Sequence, residues 1–458
     1  MAWIALGVAI VVGLVMTQRV MTERVITAAP SAGTELAWLE TLFGLFVFSG
    51  VGRILLSLLP AGSLGSFRPR SLATTWATSH LLGVSALGFT NIALSSGLGA
   101  PLALTLGRPF ALVAPWLVVL VARVLSLPGA IVPGHEHTRE RLTGLSRFLP
   151  HLFALAAALL LRAVWSAPAT PVADLSNTFL GEATAAFFSG GSMISPVFAW
   201  ASWIATVLLL LHGLETARRS PALRWAFGLA LLLTPFAADS IAFARSEILT
   251  AMFFGGGAAF AVSWLRHGDR RSASLAVIAF LSQILTSWNG LSLAAAAIVA
   301  LVICSPVPSR KSIALRAGAL WLFVTWPVAG QITHQMGEAF FDWPEASMVD
   351  RVRFALVPAN FGVLVPAFLL LGIRGWRARR ANPRHPAERI AERPDRELKF
   401  AVLLLVLAFL TLRYSFLWLP ENASPELRAE SWANLAALIM LPVAALTAGL
   451  AAIRGERG

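Results

Sequence analysis

Asp174, Asp239 and Glu247 each stand at the end of a long apolar run, and Arg245, Arg353 and Arg413 stand close to the ends of others. Ionisable groups beside hydrocarbon are costly and are usually kept for a task. The chemistry open to this set is acid–base catalysis and anion binding. A carboxylate at a membrane rim can take the proton from an attacking hydroxyl. An arginine near it can hold a phosphate through a planar two-pronged fork. Asp174 is the choice for the base, because it alone among the acids of its stretch directly follows an apolar run. Glu182 comes later, in an amphipathic stretch, 179–188, suited to lying along a membrane surface.

Each acid also has a plainer reading as a helix cap: Asp174 ahead of 179–188, and Ser246 or Glu247 at the start of a span. Arg245 is less easily dismissed, being a cation among acids; it can pair with Asp239 or Glu247, or bind a phosphate. Asn289, within Thr286-Ser287-Trp288-Asn289-Gly290, interrupts another apolar run, and an interfacial Trp followed by a turn-forming Asn-Gly explains most of that without function. Arg353, Arg413 and Tyr414, the only tyrosine, lie in two later polar loops. Arginines there suit a lipid-linked phosphate, or they snorkel to headgroups.

The elements that must position these groups are apolar helices. The chain has 458 residues, 57% of them hydrophobic and 13% charged. Apolar runs recur along its whole length, which excludes a soluble globular protein. A span needs about 17–25 such residues. The expected fold is therefore all-α: a polytopic membrane protein of about 14 transmembrane helices. The spans fall near 2–17, 36–59, 72–94, 109–127, 148–165, 194–212, 222–238, 248–265, 273–288, 291–304, 313–330, 354–373, 400–412 and 432–453. The weakest is 273–304, one long helix or two short ones broken at Asn289-Gly290. Two short ones keep the basic run 374–399 on the same side as the other basic loops.

With that threading about three quarters of the 36 Lys and Arg residues fall on one side and most of the 23 acids on the other. The positive-inside pattern makes the first side cytoplasmic and puts both termini there. The candidate residues all come to the outer side. Composition, rich in Ala, Leu and Arg over Lys, suggests a GC-rich bacterial genome and thus a bacterial inner membrane. The net charge of +13 is spread over short loops rather than gathered on one domain, which argues against nucleic acid and for the lipid bilayer as partner. The first run lacks a charged leader and a clear cleavage site, and reads as a retained signal anchor. Four units follow: an N-terminal four-span bundle, 1–147; a membrane core with the outer-face site, 148–373; a basic cytoplasmic linker, 374–399; and a two-span hairpin, 400–458.

Cys304 is the only cysteine, expected as a small buried apolar residue with no disulfide. His80 and His212 are isolated in apolar runs and suit helix–helix hydrogen bonds better than a metal or haem. The chain has no phosphate-cradling loop, no HExxH and no nucleophile elbow. Asp-x-Asp is missing from the outer loops, so no cofactor is called for and a divalent metal has no direct support.

Segment 166–300 resembles the polytopic GT-C glycosyltransferases, the group that includes the protein mannosyltransferases and the aminoarabinose lipid A transferases. Asp174 with 179–188 looks like their first outer loop, an acid followed by a short surface helix. Ser246-Glu247 is similar to the Ser-Glu that opens a later span. Thr286 to Gly290 is similar to a Thr-Arg-x-x-Gly-like break, without its arginine, and Arg413-Tyr414 ahead of Pro420 to their final outer loop. Five spans precede Asp174 here, four more than the family's one. The resemblance implies a GT-C-like helical core and transfer of a sugar from a polyprenyl-phosphate donor to an acceptor at the outer face. Asp174 is then the base, Glu247 orients Arg245 or binds the sugar, and Asp239, Arg245, Asn289, Arg353, Arg413 and Tyr414 surround donor and phosphate. The alternatives are a transporter or flippase for a lipid-linked or amphipathic molecule, with Glu40 and Arg53 in span two as its best support, or a non-catalytic subunit of a membrane complex.

Overall fold

Ser-Pro pairs open three of the helices. A proline at the first helical position loses no bond, because its missing N–H would be an orphan there in any case. A computed structural model of the chain describes residues 45–57, 59, 71–98, 148–166, 196–217, 221–234, 237, 240–241, 246–306, 309–325, 396–414 and 425–451, except positions 47, 233, 287 and 323. In chain order the helices are α1 (Phe48–Ser57), α2 (Leu72–Leu98), α3 (Leu149–Ser166), α4 (Pro196–Thr216), α5 (Pro221–Leu232) and α6 (Ser246–His267). Then come α7 (Arg270–Ser282) with a 3-10 turn, Gln283–Leu285, and α8 (Trp288–Cys304). The last are α9 (309–322), α10 (Arg396–Tyr414) and α11 (Pro425–Ala451). The described residues are all-helical, without strands.

The run 273–304 is two helices, as the charge pattern requires, but the break lies earlier than Asn289-Gly290. Thr286 ends the first helix by bonding back to the Gln283 carbonyl, through its N–H at 3.1 Å and its hydroxyl at 2.9 Å. Asn289 and Gly290 already belong to the first turn of α8. Gly290 serves close approach rather than a turn: a Cβ there would collide with the Gln283 carbonyl. The α6–α7 connection is as tight. Gly268 adopts φ 69°, a conformation that favours glycine, and Asp269 caps α7 by accepting from the N–H groups of Arg271 and Ser272.

α6 is the hub, packed against α4, α7, α10 and α11. Its Gly255, Gly256 and Gly257 face Pro442 of α11, Leu81 and Leu209 of α2 and α4, and the Phe280 ring of α7. Small residues of this kind let helices approach closely where lipid removes the hydrophobic drive between them. The contacts also fix directions. Leu209 and Gly213 of α4 meet Gly256 and Ala259 of α6, so those two run parallel, and the pairs Gly255–Pro442 and Leu214–Gly449 set α11 parallel to them. Thr250–Thr286 and Gly257–Phe280 make α6 and α7 antiparallel. Ser85–Ser282 and Gly88–Leu285 make α2 parallel to α7.

One end of the bundle, called here the Asp269 end, collects the charge pairs. Glu215 and Arg224 lie 3.6 Å apart across α4–α5, and Arg266 and Glu397 lie 3.5 Å apart between α6 and α10. Arg271 donates to the Leu59 carbonyl at 2.9 Å, which anchors the end of α1. Burial draws the Arg271 guanidinium below its ordinary range, and Asp269 opposes that shift.

Two helices, Val197–Thr216 and Glu247–His267, are long and apolar enough to cross a membrane, and both lie within the bundle. The perimeter helices carry large apolar side chains outward as well as inward. On α3, Leu152, Leu155 and Leu159 are at least half exposed while Phe153, Ala157 and Leu161 are buried. A helix apolar on every face belongs in a large core or in lipid.

α1 and α2 cross backbone to backbone. A Cβ on Gly52 would strike the Ser79 carbonyl, and one on Gly83 the Phe48 carbonyl. Gly50, on the opposite face of α1, has nothing within 4 Å of its would-be Cβ. Gly83→Ala should cost about 1–3 kcal/mol, because backbone cannot yield as a side chain does. Gly50→Ala should be neutral or gain up to about 1 kcal/mol. Denaturation midpoints of the two variants in one detergent check this; equal shifts would show that the crossing is loose.

Candidate functional site

Glu247 lies in the first turn of α6, half-buried, where the helix dipole favours a negative group. One turn further on, the buried Thr250 hydroxyl bonds the Thr286 hydroxyl at 2.6 Å. The antiparallel register that this pair shares with Gly257–Phe280 brings the 3-10 turn to the first turns of α6, and Gly290, packed on the Gln283 carbonyl, sets the start of α8 with the backbone of Asn289 at the same end. A second register comes from α10. With Arg266 paired to Glu397 at the Asp269 end, a rise of about 1.5 Å per residue carries Arg413 and Tyr414 to the level of the first turns of α6. Glu247, Asn289 and the Arg413-Tyr414 pair, distant in sequence, thus arrive at one end of the bundle. For Asn289, Arg413 and Tyr414 it is the backbone that arrives there. Asp174, Asp239, Arg245 and Arg353 lie outside the described residues.

Sequence reasoning missed the polar seam beneath that end. In a 3-10 turn residues i and i+3 eclipse. Ser282 and Leu285 form one edge and face α2, where the Ser282 hydroxyl donates to that of Ser85 at 2.8 Å and Leu285 covers Gly88. Gln283 and Thr286 form the edge facing α6. Gln283 is fully buried, and neither its side-chain oxygen nor its nitrogen has a hydrogen-bond partner. An unsatisfied buried amide costs about 1–3 kcal/mol, so it marks a place where a polar guest would be stabilised. The signal was in the sequence: a glutamine inside an otherwise apolar run, beside a serine.

His80 makes the helix–helix contact expected of it, its Nε2 3.1 Å from the Ser202 hydroxyl of α4 and its ring stacked on Trp76. Arg53, offered for the transporter reading, is exposed on α1 rather than turned into the bundle, and Glu40 lies outside the described residues. Cys304 departs from expectation in degree: it packs against the core at the Asp269 end of α8 but is partly rather than fully buried.

Compared with protein-family models, characterised proteins and solved structures, the chain matches none, so its site stands on its own geometry.

Proposed function

We propose that this chain is a polytopic membrane glycosyltransferase, of about fourteen spans, that moves a sugar from a polyprenyl-phosphate donor to an acceptor hydroxyl at the outer face. The observation that carries the reading is the arrival of Glu247, Asn289 and Arg413-Tyr414 at one end of the bundle, opposite the end that collects the Arg271, Arg266 and Glu215 contacts. The helix directions support the threading. α2 runs toward the Glu247 end and α4 away from it; α6, α7 and α8 alternate, and α10 returns toward it. α9 runs antiparallel to α8, since the Trp321 indole donates to the Leu291 carbonyl, and so also toward the Glu247 end. One further crossing between α9 and α10 is then required, where 354–373 supplies an apolar run. The outward-facing leucines of α3 support the membrane placement.

In this reaction the acceptor oxygen bonds to the anomeric carbon as the bond from that carbon to the phosphate oxygen breaks. The bonding pair leaves with the polyprenyl phosphate, and the hydroxyl proton passes to the Asp174 carboxylate. Arg245, Arg353 and Arg413 are the candidates to stabilise the growing phosphate charge. Asp239 and Glu247 fix an arginine or a sugar hydroxyl, and Asn289 and Tyr414 line the donor's approach. The Gln283 amide is suited to a sugar hydroxyl entering the seam between α6 and α7.

Purified protein given a panel of polyprenyl-phosphate sugars should release polyprenyl phosphate and transfer the sugar. Gln283→Leu discriminates further. An apolar isostere at a purely structural site is neutral or stabilising. The variant should hold or raise its unfolding midpoint while transfer falls about tenfold, the value of one hydrogen bond to substrate. Unchanged transfer would take Gln283 out of the site. The transporter reading keeps one favouring observation, the broken helix at Gln283–Leu285, since discontinuous helices build transporter sites. Donor carried across liposomes intact, with no sugar released, would decide for it.

A further inference from the structure

Lysine occurs twice in this chain, at 311 and 399, against 34 arginines. The fold brings both to one corner. Lys399 is exposed in the first turn of α10. Lys311 is exposed in the first turn of α9, next to Arg310. α8 packs against α10, and the end of α8 with Cys304 and the first turn of α10 with Lys399 lie at the same, Asp269, end of the bundle, next to the start of α9 with Arg310. Arg310 is pinned there, its Nε donating to the Ser305 carbonyl at 3.1 Å and its Nη2 to that of Ile303 at 2.9 Å. Glu397, the acid of α10's first turn, is engaged by Arg266 at 3.5 Å. Among the described residues the corner therefore keeps a net positive charge.

An apolar strip leads away from it. α8 and α10 pack together and run antiparallel from this corner. Ile303 and Val299 are about half exposed on α8, at 50% and 48%, and Val402 and Val406 on α10, at 44% and 49%. In each pair the residues are one helical turn apart, on one face. Ile303 and Val402 lie within one turn of Cys304 and Lys399, and Val299 and Val406 one turn deeper, so the two pairs sit at similar depth, within about 3 Å of each other along the bundle. Exposed cations above exposed aliphatic side chains complement a phosphate above an acyl chain.

We propose that the corner where α8, α9 and α10 meet binds an anionic phospholipid of the facing leaflet, its phosphate held by Lys311, Lys399 and Arg310 and an acyl chain laid along the α8–α10 strip. The proposal rests on the membrane placement and is independent of sugar transfer. Arginine spread over the other basic loops meets the charge asymmetry; two compact, rotatable ammonium groups at one corner suit a headgroup whose orientation varies.

The test titrates the full chain, in neutral detergent, with dioctanoyl-phosphatidylglycerol, following the thermal unfolding midpoint. Dioctanoyl-phosphatidylcholine and inorganic phosphate are the comparison probes. Phosphatidylglycerol should raise the midpoint saturably, at concentrations about tenfold lower than phosphatidylcholine. K311Q/K399Q should weaken that effect by about twenty-fivefold, at about fivefold for each lysine. K311R/K399R should retain it within about twofold, because the charge stays. R218Q/R219Q, which removes the same charge from another basic loop, should leave it unchanged. Three results would overturn the proposal: equal response to the two lipids, equal weakening by R218Q/R219Q, or inorganic phosphate reproducing the phosphatidylglycerol shift without any acyl chain.

Discussion

Asp174→Asn is expected to insert and fold as the wild type does, to bind a polyprenyl-phosphate donor, and to transfer sugar about 10²–10⁴-fold more slowly. The substitution keeps size and hydrogen bonding and removes only basicity, and a positioned general base is worth about that factor. Single-turnover transfer with a labelled donor, beside donor binding at equilibrium, separates the two quantities. Transfer at the wild-type rate would remove Asp174 from the mechanism and pass the role to Asp239 or Glu247. Glu247 lies at the same end of the bundle as Arg413-Tyr414 and can be tested in parallel as Glu247→Gln.

The second large effect is expected at Arg413. If it holds the leaving phosphate, Arg413→Lys replaces a planar fork with a point charge. Transfer should fall by about 10-fold to 10²-fold, within the range for one charge-assisted hydrogen bond, while the unfolding midpoint changes little. Arg245→Lys, from the loop before α6, should behave alike if the two share the phosphate. Loss of folded protein in both variants would mark these arginines as structural. The register that carries Arg413 to the Glu247 end depends on the Arg266–Glu397 pair at the other end, which is 14% and 19% exposed. Partial burial makes that pair matter more than a surface pair would. Glu397→Gln should therefore loosen α10 and weaken activity through Arg413 without touching the site.

Much of the fold was legible. Apolar runs separated by short basic loops announced a helical bundle with charge at one end. The basic run 374–399 required two helices in 273–304, and two are there. The place of the break was not legible, because Asn289-Gly290 is the stronger turn signal. What decides it is tertiary: Thr286 has Thr250 to bond and Gly290 has the Gln283 carbonyl to approach, and neither partner is local in sequence. Cys304 is less buried than expected for a related reason, since an apolar run alone does not tell which of its residues meets a neighbour and which meets the exterior. The meeting of Glu247 with Arg413-Tyr414 could be guessed only from sidedness; their shared level needs the contacts of α6 with α7 and α10. The buried Gln283 went unremarked because a single polar residue in an apolar run reads as tolerated rather than positioned.

The most direct measurement is transfer in sealed membrane vesicles of opposite orientation, loaded with a polyprenyl-phosphate sugar and offered an acceptor that cannot cross the bilayer. Glycosylated acceptor and free polyprenyl phosphate should appear only when the acceptor meets the side opposite the basic loops. Transfer only at the basic side, or donor that crosses the bilayer with its sugar still attached, would contradict an outer-face glycosyltransferase.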